Sequence, residues 1–156
     1  MSEARATDPI LVTGAGGFVG RHLLAHAAAE GRTLLAATRD PNRLAAPRSV
    51  ETVAIGPLDE VSTWRELVRR CGGIVHLAAH AHRVGRDREE AEAFQRVNVE
   101  GTRALAEAVR ESERPLRVVL MSSIGAIGDR SDPDRPLTDE STPAPRSNYG
   151  RSKLDA

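Results

Sequence analysis

Short apolar runs alternate with amphipathic stretches along most of the chain. The apolar runs are rich in β-branched residues and predict strands, whereas the stretches between them carry apolar residues at helical spacing, as at Leu23, Leu24, Ala27 and Ala28. The predicted strands cover 10–13, 34–38, 50–55, 74–79 and 118–121. The pattern therefore predicts alternating strands and helices that begin with a strand–helix–strand unit.

Glycines follow the first predicted strand and lead directly into a helix. The segment that we expect to bind a cofactor comprises Thr13, Gly14, Gly16, Gly17, Phe18, Val19 and Gly20. We expect Gly14 to permit a tight turn, Gly17 to let backbone approach a pyrophosphate, and Gly20 to let the helix press against the strand. Unpaired N–H groups at a helix N-terminus attract phosphate. The pattern predicts a dinucleotide-binding turn, and a glycine-rich turn without ligand is the alternative.

The end of the second predicted strand bears on the choice of cofactor. NAD-binding chains usually place an acidic residue about 20 residues past the glycines, where it holds the ribose hydroxyls. This chain has Arg39 there, followed by Asp40. A guanidinium makes paired hydrogen bonds to a 2′-phosphate. We therefore expect NADP, although Asp40 turned inward would restore NAD, and a solvated Arg39 is a further alternative.

Small residues lie at the end of the fourth predicted strand. The strand closes with Ala78 and Ala79, and small side chains beyond the carboxyl end of a strand leave room for a ligand. His80 and His82 come next, but a His-x-His pair without a third ligand at a recognisable spacing is a weak sign of zinc. We therefore expect no metal site.

Asn98 falls inside a long helix predicted over about 89–112, next to its apolar line. A buried amide must find hydrogen-bond partners or cost stability. Two interpretations of Asn98 stay open, a member of a structural network and a support of an active site.

Candidate catalytic groups follow the fifth predicted strand. Ser123, preceded by Ser122, stands at its carboxyl end, and Tyr149 and Lys153 are four residues apart, so both project from one face of a helix. An ammonium next to a phenol favours the phenolate and makes a tyrosine a usable general acid or base. Ser123 would hydrogen-bond the substrate oxygen, and Lys153 would also reach a nicotinamide ribose. Serines that cap a turn, and a pair on a solvated helix edge, are the alternatives.

Composition and charge exclude several classes of protein. The 156 residues include 22 basic and 22 acidic ones, so the formal net charge is +0 and no global field attracts nucleic acid or an anionic membrane. No apolar run has the length of a membrane span, and the first residues lack the apolar core of a signal peptide. We expect one domain in the cytoplasm. Cys71, the only cysteine, excludes an internal disulfide and predicts a small buried side chain.

Five segments in this order resemble the extended short-chain dehydrogenase/reductase family, also called the NAD-dependent epimerase/dehydratase family. They are 13–20, 76–79, 98–102, 122–123 and 149–153. The resemblance implies an α/β fold with a Rossmann-like, doubly wound parallel sheet, a nicotinamide cofactor, and hydride transfer at a carbon bearing oxygen. The substrate is commonly a nucleotide-activated sugar, and the chain is most similar to nucleotide-sugar 4-epimerases and 4-ketoreductases. The cofactor residues expected beyond the glycine segment are Arg39, Leu58, Leu77, Ala78, Ala79, Asn98, Tyr149 and Lys153.

Three departures from the family pattern affect these expectations. Pro57 stands where the family often has an acidic residue that contacts adenine, and Ile127 where it often has a tyrosine. Family members also continue for about as many residues again. We therefore expect residues 1–156 to form an NAD(P)-binding domain that is incomplete after the fifth strand, and to have weak cofactor binding and little turnover alone.

Three functions stay open at this point. The first is an NAD(P)-dependent epimerase, dehydratase or reductase of a small-molecule substrate, with Ser123, Tyr149 and Lys153 as catalytic residues. The second is a non-catalytic NAD(P)-binding sensor or scaffold, whose expected mark is loss of the tyrosine–lysine pair. The third is an inactive truncated remnant of the enzyme. A full-length form would be a candidate homodimer, and the oligomeric state stays open.

Overall fold

The structure is a computed structural model that describes residues 8–81, 88–128, 130–131 and 133–156. Five strands form one parallel sheet in the spatial order β3-β2-β1-β4-β5. They are β1 (Ile10–Thr13), β2 (Leu34–Thr38), β3 (Glu51–Ala54), β4 (Gly73–His76) and β5 (Arg117–Leu120). The expected Rossmann-like parallel sheet is thereby confirmed, and each strand lies within two or three residues of its predicted bounds.

Helices lie between the strands and after the last one. They are α1 (Phe18–Ala29), α2 (Val61–Arg70), α3 (Arg88–Phe94), a π-helical segment (Gln95–Glu100), α4 (Gly101–Arg110) and α5 (Asn148–Asp155). Two short 3-10 turns cover Pro41–Arg43 and Ile124–Ala126. No helix in these described ranges is long and apolar enough to cross a membrane.

The chain forms two compact units. One contains the described residues within Met1–Ala78 and Ala104–Met121, and we call it the sheet unit because it holds all five strands. The other contains those within Ala79–Arg103 and Ser122–Ala156, and we call it the tyrosine unit because it holds Tyr149.

Both faces of the strands β1 and β2 are buried, whereas the edge strands β3 and β5 are largely exposed. Alternate strand residues point to opposite faces, so Leu11 and its neighbours pack with Trp64 of α2 and Leu105 of α4, whereas Val12 packs with Leu24 of α1. This double burial explains why β1 and β2 read as continuous apolar runs. Cys71 lies fully buried at the end of α2, as expected, and burial raises the pKa of its thiol to about 11.

The uniform helix predicted over about 89–112 is wrong in its centre. The chain is helical there, but Gln95–Glu100 adopts the wider π-helical turn, and Asn98 lies inside it. Apolar spacing reports which residues face a core and does not distinguish one turn geometry from the other. Such π-helical turns are rare and recur at functional positions.

Candidate functional site

The turn after β1 requires two glycines for different reasons. Gly14 has φ 64°, in the left-handed region, and a Cβ there would lie 2.7 Å from the backbone N of Ala78. A Cβ on Gly20 would lie 2.4 Å from the carbonyl oxygen of Gly14. The first glycine therefore permits the turn and the second permits close contact between helix and turn, which are the structural roles expected from the sequence.

The N-terminus of α1 is open to an anion. Its first residue follows Gly17, whose backbone N–H donates to the Gly14 carbonyl at 2.9 Å, and no side chain caps the helix. Gly16, Phe18 and Val19 are exposed, and the first turn carries no acidic residue. Helix N–H groups with no capping side chain bind phosphate well.

The Thr13 side chain links the turn after β1 to the segment that follows β4. Its side chain is fully buried, and Oγ1 accepts a hydrogen bond from the Ala78 N–H at 3.1 Å. Oγ1 also lies 2.8 Å from Nδ1 of His76, the last residue of β4. The Thr13 hydroxyl is therefore used within the protein, where it joins the ends of β1 and β4. The same Ala78 contact explains why β4 ends at His76, before the predicted end at residue 79.

The remaining expected cofactor residues of the sheet unit differ in exposure. Leu58 and Leu77 are partly buried and pack on opposite clusters of the core. Arg39 is exposed directly after β2 and makes no hydrogen bond or ion pair with any residue in the described ranges. Asp40 does not turn inward, because its Oδ1 accepts the N–H of Asn42 at 3.1 Å and caps a 3-10 turn.

In the tyrosine unit, Ser123 begins a 3-10 turn. Its Oγ accepts a hydrogen bond from the Gly125 N–H at 3.1 Å, so the turn-capping interpretation describes part of its role. That bond uses an oxygen lone pair and leaves the hydroxyl proton available to donate. Ser123 can therefore cap the turn and still donate to a substrate oxygen.

Helix α5 carries Tyr149 and Lys153. Ser147 caps it by accepting the Gly150 N–H at 3.0 Å, and a Cβ on Gly150 would lie 2.3 Å from the Gly125 carbonyl oxygen. The helix therefore packs directly against the turn that Ser123 begins. An isolated helix of this length is marginal, so this packing is what α5 needs to form.

Lys153 is buried without a partner. Its side chain is 6% exposed, and its ammonium makes no hydrogen bond or ion pair with any residue of the described chain. Burial lowers the pKa of the Lys153 ammonium below its usual value. The ammonium is therefore available to donate to a ligand.

The phenol ring of Tyr149 contacts another aromatic side chain. Its ring centroid lies 5.9 Å from that of Phe94, which in turn lies 4.9 Å from the imidazole of His80. Within the described ranges, no hydrogen bond joins the Tyr149 hydroxyl to Ser123 or to Lys153. The structure thus places the three expected catalytic residues in one unit but does not record a direct link between their polar atoms.

Asn98 finds the partners that a buried amide needs. It is 1% exposed, and it bonds to the backbone N and O of His80 at 2.7 and 3.1 Å and to Ser152 Oγ at 2.9 Å. Ala79, next to His80, is partly buried. Asn98 is therefore a member of a structural network within the tyrosine unit, which was one of its two interpretations.

Sequence reasoning missed Ser152 and the contact of Phe94 with Tyr149. Ser152 stands three residues after Tyr149, but nothing in the sequence marks its hydroxyl as buried. Phe94 gave no signal either, because it reads as one more core residue. Among the described residues, no three His, Cys, Asp or Glu side chains are grouped to hold a metal ion, and His82 lies outside the described ranges.

A parallel sheet with this strand order, and a glycine turn between β1 and α1, define a Rossmann-like protein. The sequence profile described as NAD dependent epimerase/dehydratase family matches residues 10–156. The chain therefore belongs to the NAD-dependent epimerase/dehydratase family, as the five motifs led us to expect.

Two curated relatives illustrate the range of similar proteins. Over 140 residues the chain is 30% identical to a dihydroflavonol 4-reductase of Zea mays, covering 84% of this chain and 38% of the relative. Over 120 residues it is 38% identical to a UDP-2-acetamido-2,6-beta-L-arabino-hexul-4-ose reductase of Pseudomonas aeruginosa, covering 77% of this chain and 26% of the relative.

Solved structures share the fold. A mutant of uronate dehydrogenase from Agrobacterium tumefaciens, complexed with NAD, matches with a TM-score of 0.76 and 30% identity, covering 95% of this chain and 52% of that chain. The chain thus spans about half the length, or less, of the proteins that it matches.

Proposed function

We propose that the chain belongs to an NAD(P)-dependent oxidoreductase or epimerase that acts on a nucleotide-activated sugar. The reaction is hydride transfer at a carbon bearing oxygen, with Tyr149 as the general acid or base. Membership of the family supports the general kind of enzyme. The name of the Pseudomonas relative, a reductase of a UDP-linked keto sugar, supports the substrate class.

One observation carries the proposal. Lys153 is the only lysine among 22 basic residues, and it is buried without a partner four residues after Tyr149, the only tyrosine. Arginine serves every other basic position, including the exposed ones. A compact ammonium at this one buried place is explained if a ligand hydroxyl and the neighbouring phenol need it.

The residues of the β1 turn fit the diphosphate of a dinucleotide. Gly14 and Gly20 exclude side chains from the turn, and Gly16 and Gly17 are exposed next to the uncapped helix N-terminus. Backbone N–H groups of Gly16, Phe18 and Val19 would hold the phosphates, whereas that of Gly17 is used within the turn. A bound nicotinamide cofactor supplies the hydride donor or acceptor.

Arg39 favours NADP over NAD. Its guanidinium is exposed and makes no contact that occupies it within the described chain, whereas Asp40 is engaged in capping a turn. A 2′-phosphate would find a planar cation after β2 and no carboxylate turned toward it.

The residues of the tyrosine unit would transfer the proton to or from the substrate oxygen. In the reductive direction the Tyr149 hydroxyl gives its proton to the carbonyl oxygen as hydride reaches the carbon, and the phenolate then takes a proton from solvent. The Ser123 hydroxyl donates to the same oxygen and orients it. The Lys153 ammonium stabilises the phenolate and donates to a ligand hydroxyl.

The test is oxidation of NADPH in the presence of a nucleotide 4-keto sugar, with the full gene product used where the gene continues beyond residue 156. We expect turnover that falls on the order of 10²- to 10⁴-fold in Tyr149→Phe while NADPH affinity is unchanged. Arg151→Ala, at an exposed position of α5, is the control. Turnover that persists in Tyr149→Phe removes Tyr149 as the general acid.

Two other arms of the assay sharpen the substrate class. A dihydroflavonol is included because one relative reduces that class by name, and faster turnover of it would replace the nucleotide sugar. Tight NADPH binding with no turnover of either substrate would instead favour the non-catalytic sensor.

A further inference from the structure

The contacts of Asn98 fix the direction of a chain of hydrogen bonds in the tyrosine unit. The His80 N–H can only donate, so it identifies the Asn98 oxygen, at 2.7 Å. The His80 carbonyl can only accept, so it identifies the Asn98 nitrogen, at 3.1 Å. The orientation of the amide is therefore determined by the backbone of one residue.

The second proton of the Asn98 nitrogen has one destination. It points to Ser152 Oγ at 2.9 Å, which must accept it. The hydroxyl proton of Ser152 is then donated to the backbone carbonyl oxygen of Tyr149 at 2.8 Å. Every amide proton of Asn98 and the hydroxyl proton of Ser152 is used, so the chain runs one way, from Asn98 through Ser152 to Tyr149.

Burial makes this chain of bonds strong. Ser152 is 4% exposed and Asn98 is 1% exposed, so water does not compete for either group. Loss of one partner would leave a buried polar group unsatisfied, which costs more than the bond itself contributes. Ser152 and Asn98 are 54 positions apart, so the bond ties two distant segments together.

Helix α5 needs such a tie. Its eight residues are too few to form a stable helix alone. Ser152 lies in the same turn of the helix as Tyr149 and Lys153. A hydroxyl that bonds the carbonyl three residues earlier does not by itself stabilise a helix interior. The Ser152 hydroxyl is explained if its purpose is to link the Tyr149 backbone to Asn98.

We propose that Ser152 is a positioning residue that, through Asn98, fixes the backbone of Tyr149 and thereby the place of its phenol. This inference rests on the proposed function for its effect on turnover, but its geometry stands without it. A reacting group displaced by about 1 Å loses on the order of a hundredfold in rate, so a backbone tie can matter without any contact to substrate.

The direct test uses the only tyrosine of the chain. Labelling tyrosine with ¹³C at the carbonyl gives a single resonance, that of Tyr149, which moves when its hydrogen bond is lost. We expect Ser152→Ala to move this resonance upfield. Ser152→Thr, which keeps the hydroxyl, should restore it, and Arg151→Ala on the same helix should leave it unchanged.

Asn98→Asp provides an independent variant of similar size. It removes both amide protons, so it should move the Tyr149 resonance as well, and Ser152→Ala added to it should cause little further change. Either single variant suffices if the other does not fold. An unmoved resonance in a folded Ser152→Ala or Asn98→Asp protein overturns the proposal.

Turnover supplies the second readout. With the substrate of the proposed function, we expect Ser152→Ala to lower kcat on the order of tenfold or more while the KM for NADPH is unchanged, and Ser152→Thr to recover kcat. If kcat falls and the KM for NADPH rises by similar factors, and Ser152→Thr does not recover kcat, Ser152 has a general structural role and the proposal is overturned. A wild-type protein without turnover contradicts only the proposed function, because the carbonyl resonance is measured without substrate.

Discussion

The glycine turn of the sheet unit and helix α5 of the tyrosine unit are built in opposite ways. The turn consists mainly of glycine backbone, and the Thr13 hydroxyl joins it to the segment that follows β4. Helix α5 also packs through Gly150 on the backbone of Gly125, but it is held in addition by distant side chains, since Asn98 reaches it from a π-helical segment and Phe94 packs on its tyrosine. The glycine turn can be recognised from the local sequence, whereas the contacts that hold α5 become visible only in the folded structure.

The difference also separates two functions. A backbone turn can bind a phosphate without any side chain, so changes there should affect cofactor affinity and stability together. A helix held by side chains can shift slightly and still fold, so changes there should affect kcat more than affinity.

Gly14→Ala should have the largest effect. The new Cβ would meet the Ala78 backbone N at 2.7 Å on a residue with φ 64°, so the turn must open. We expect the free energy of unfolding to fall by about 3 to 5 kcal/mol and NADPH binding to be lost, as measured by urea denaturation and cofactor fluorescence.

Gly31→Ala is the matched control for Gly14→Ala. Gly31 has φ 71°, but a Cβ there meets nothing within 4 Å, so only backbone strain of about 1 to 2 kcal/mol remains. Similar losses in the two variants would show that the contact with Ala78 contributes nothing.

Gly150→Ala should separate turnover from binding. Its Cβ would lie 2.3 Å from the Gly125 carbonyl oxygen, which forces α5 away from the turn that Ser123 begins. We expect kcat to fall on the order of a hundredfold with NADPH affinity unchanged. Leu154→Ala, at an exposed position of the same helix, should leave kcat unchanged. If Gly150→Ala lowers NADPH affinity and kcat by similar factors, the glycine turn and α5 do not have separate effects on binding and turnover.

Local pattern accounts for what the sequence could predict. The glycine turn, the start of α1 at Phe18 and the bounds of β2 depend on neighbouring residues, and all were found as expected. The π-helical segment at Asn98 was not, because apolar spacing is the same in both helix types. Ser152 was missed because its hydroxyl has meaning only beside an amide 54 positions away.

Arg39→Ser should sharpen the cofactor side of the comparison. Charge-assisted hydrogen bonds to a phosphate contribute about 1.5 to 3 kcal/mol, so NADPH should bind roughly ten- to a hundredfold more weakly, with NADH unaffected. Arg48→Ser, at another exposed position near β3, controls for the loss of charge. Equal affinities for NADPH in wild type and Arg39→Ser would place the 2′-phosphate elsewhere or favour NAD.

Lys153→Met should have the smallest effect on folding, and it should be stabilising. Burial lowers the pKa of Lys153 in the folded chain below the usual 10.5, so the unfolded chain holds this proton more tightly. The free energy of unfolding of the wild type therefore rises as the pH increases from the pKa of Lys153 in the folded chain to the usual value of 10.5.

The comparison with wild type isolates that proton. At pH about 7 the Lys153→Met protein should unfold at a higher urea concentration than wild type, and the gap should narrow toward pH about 10.5. Arg151→Met, at an exposed position, should show no such narrowing. If the difference in urea midpoint between Lys153→Met and wild type widens with pH, the Lys153 ammonium has a partner within the protein. It would then not be available to a ligand.

The most direct measurement is an amide NMR titration of the ¹⁵N-labelled chain with NADPH up to millimolar concentration. We expect the N–H signals of Gly16, Gly17 and Phe18 to shift in a saturable way, with Gly31 at the far end of α1 unmoved. Signals of the turn that stay in place at saturating NADPH, or that shift no more than Gly31, would contradict the assignment of this turn to a dinucleotide diphosphate.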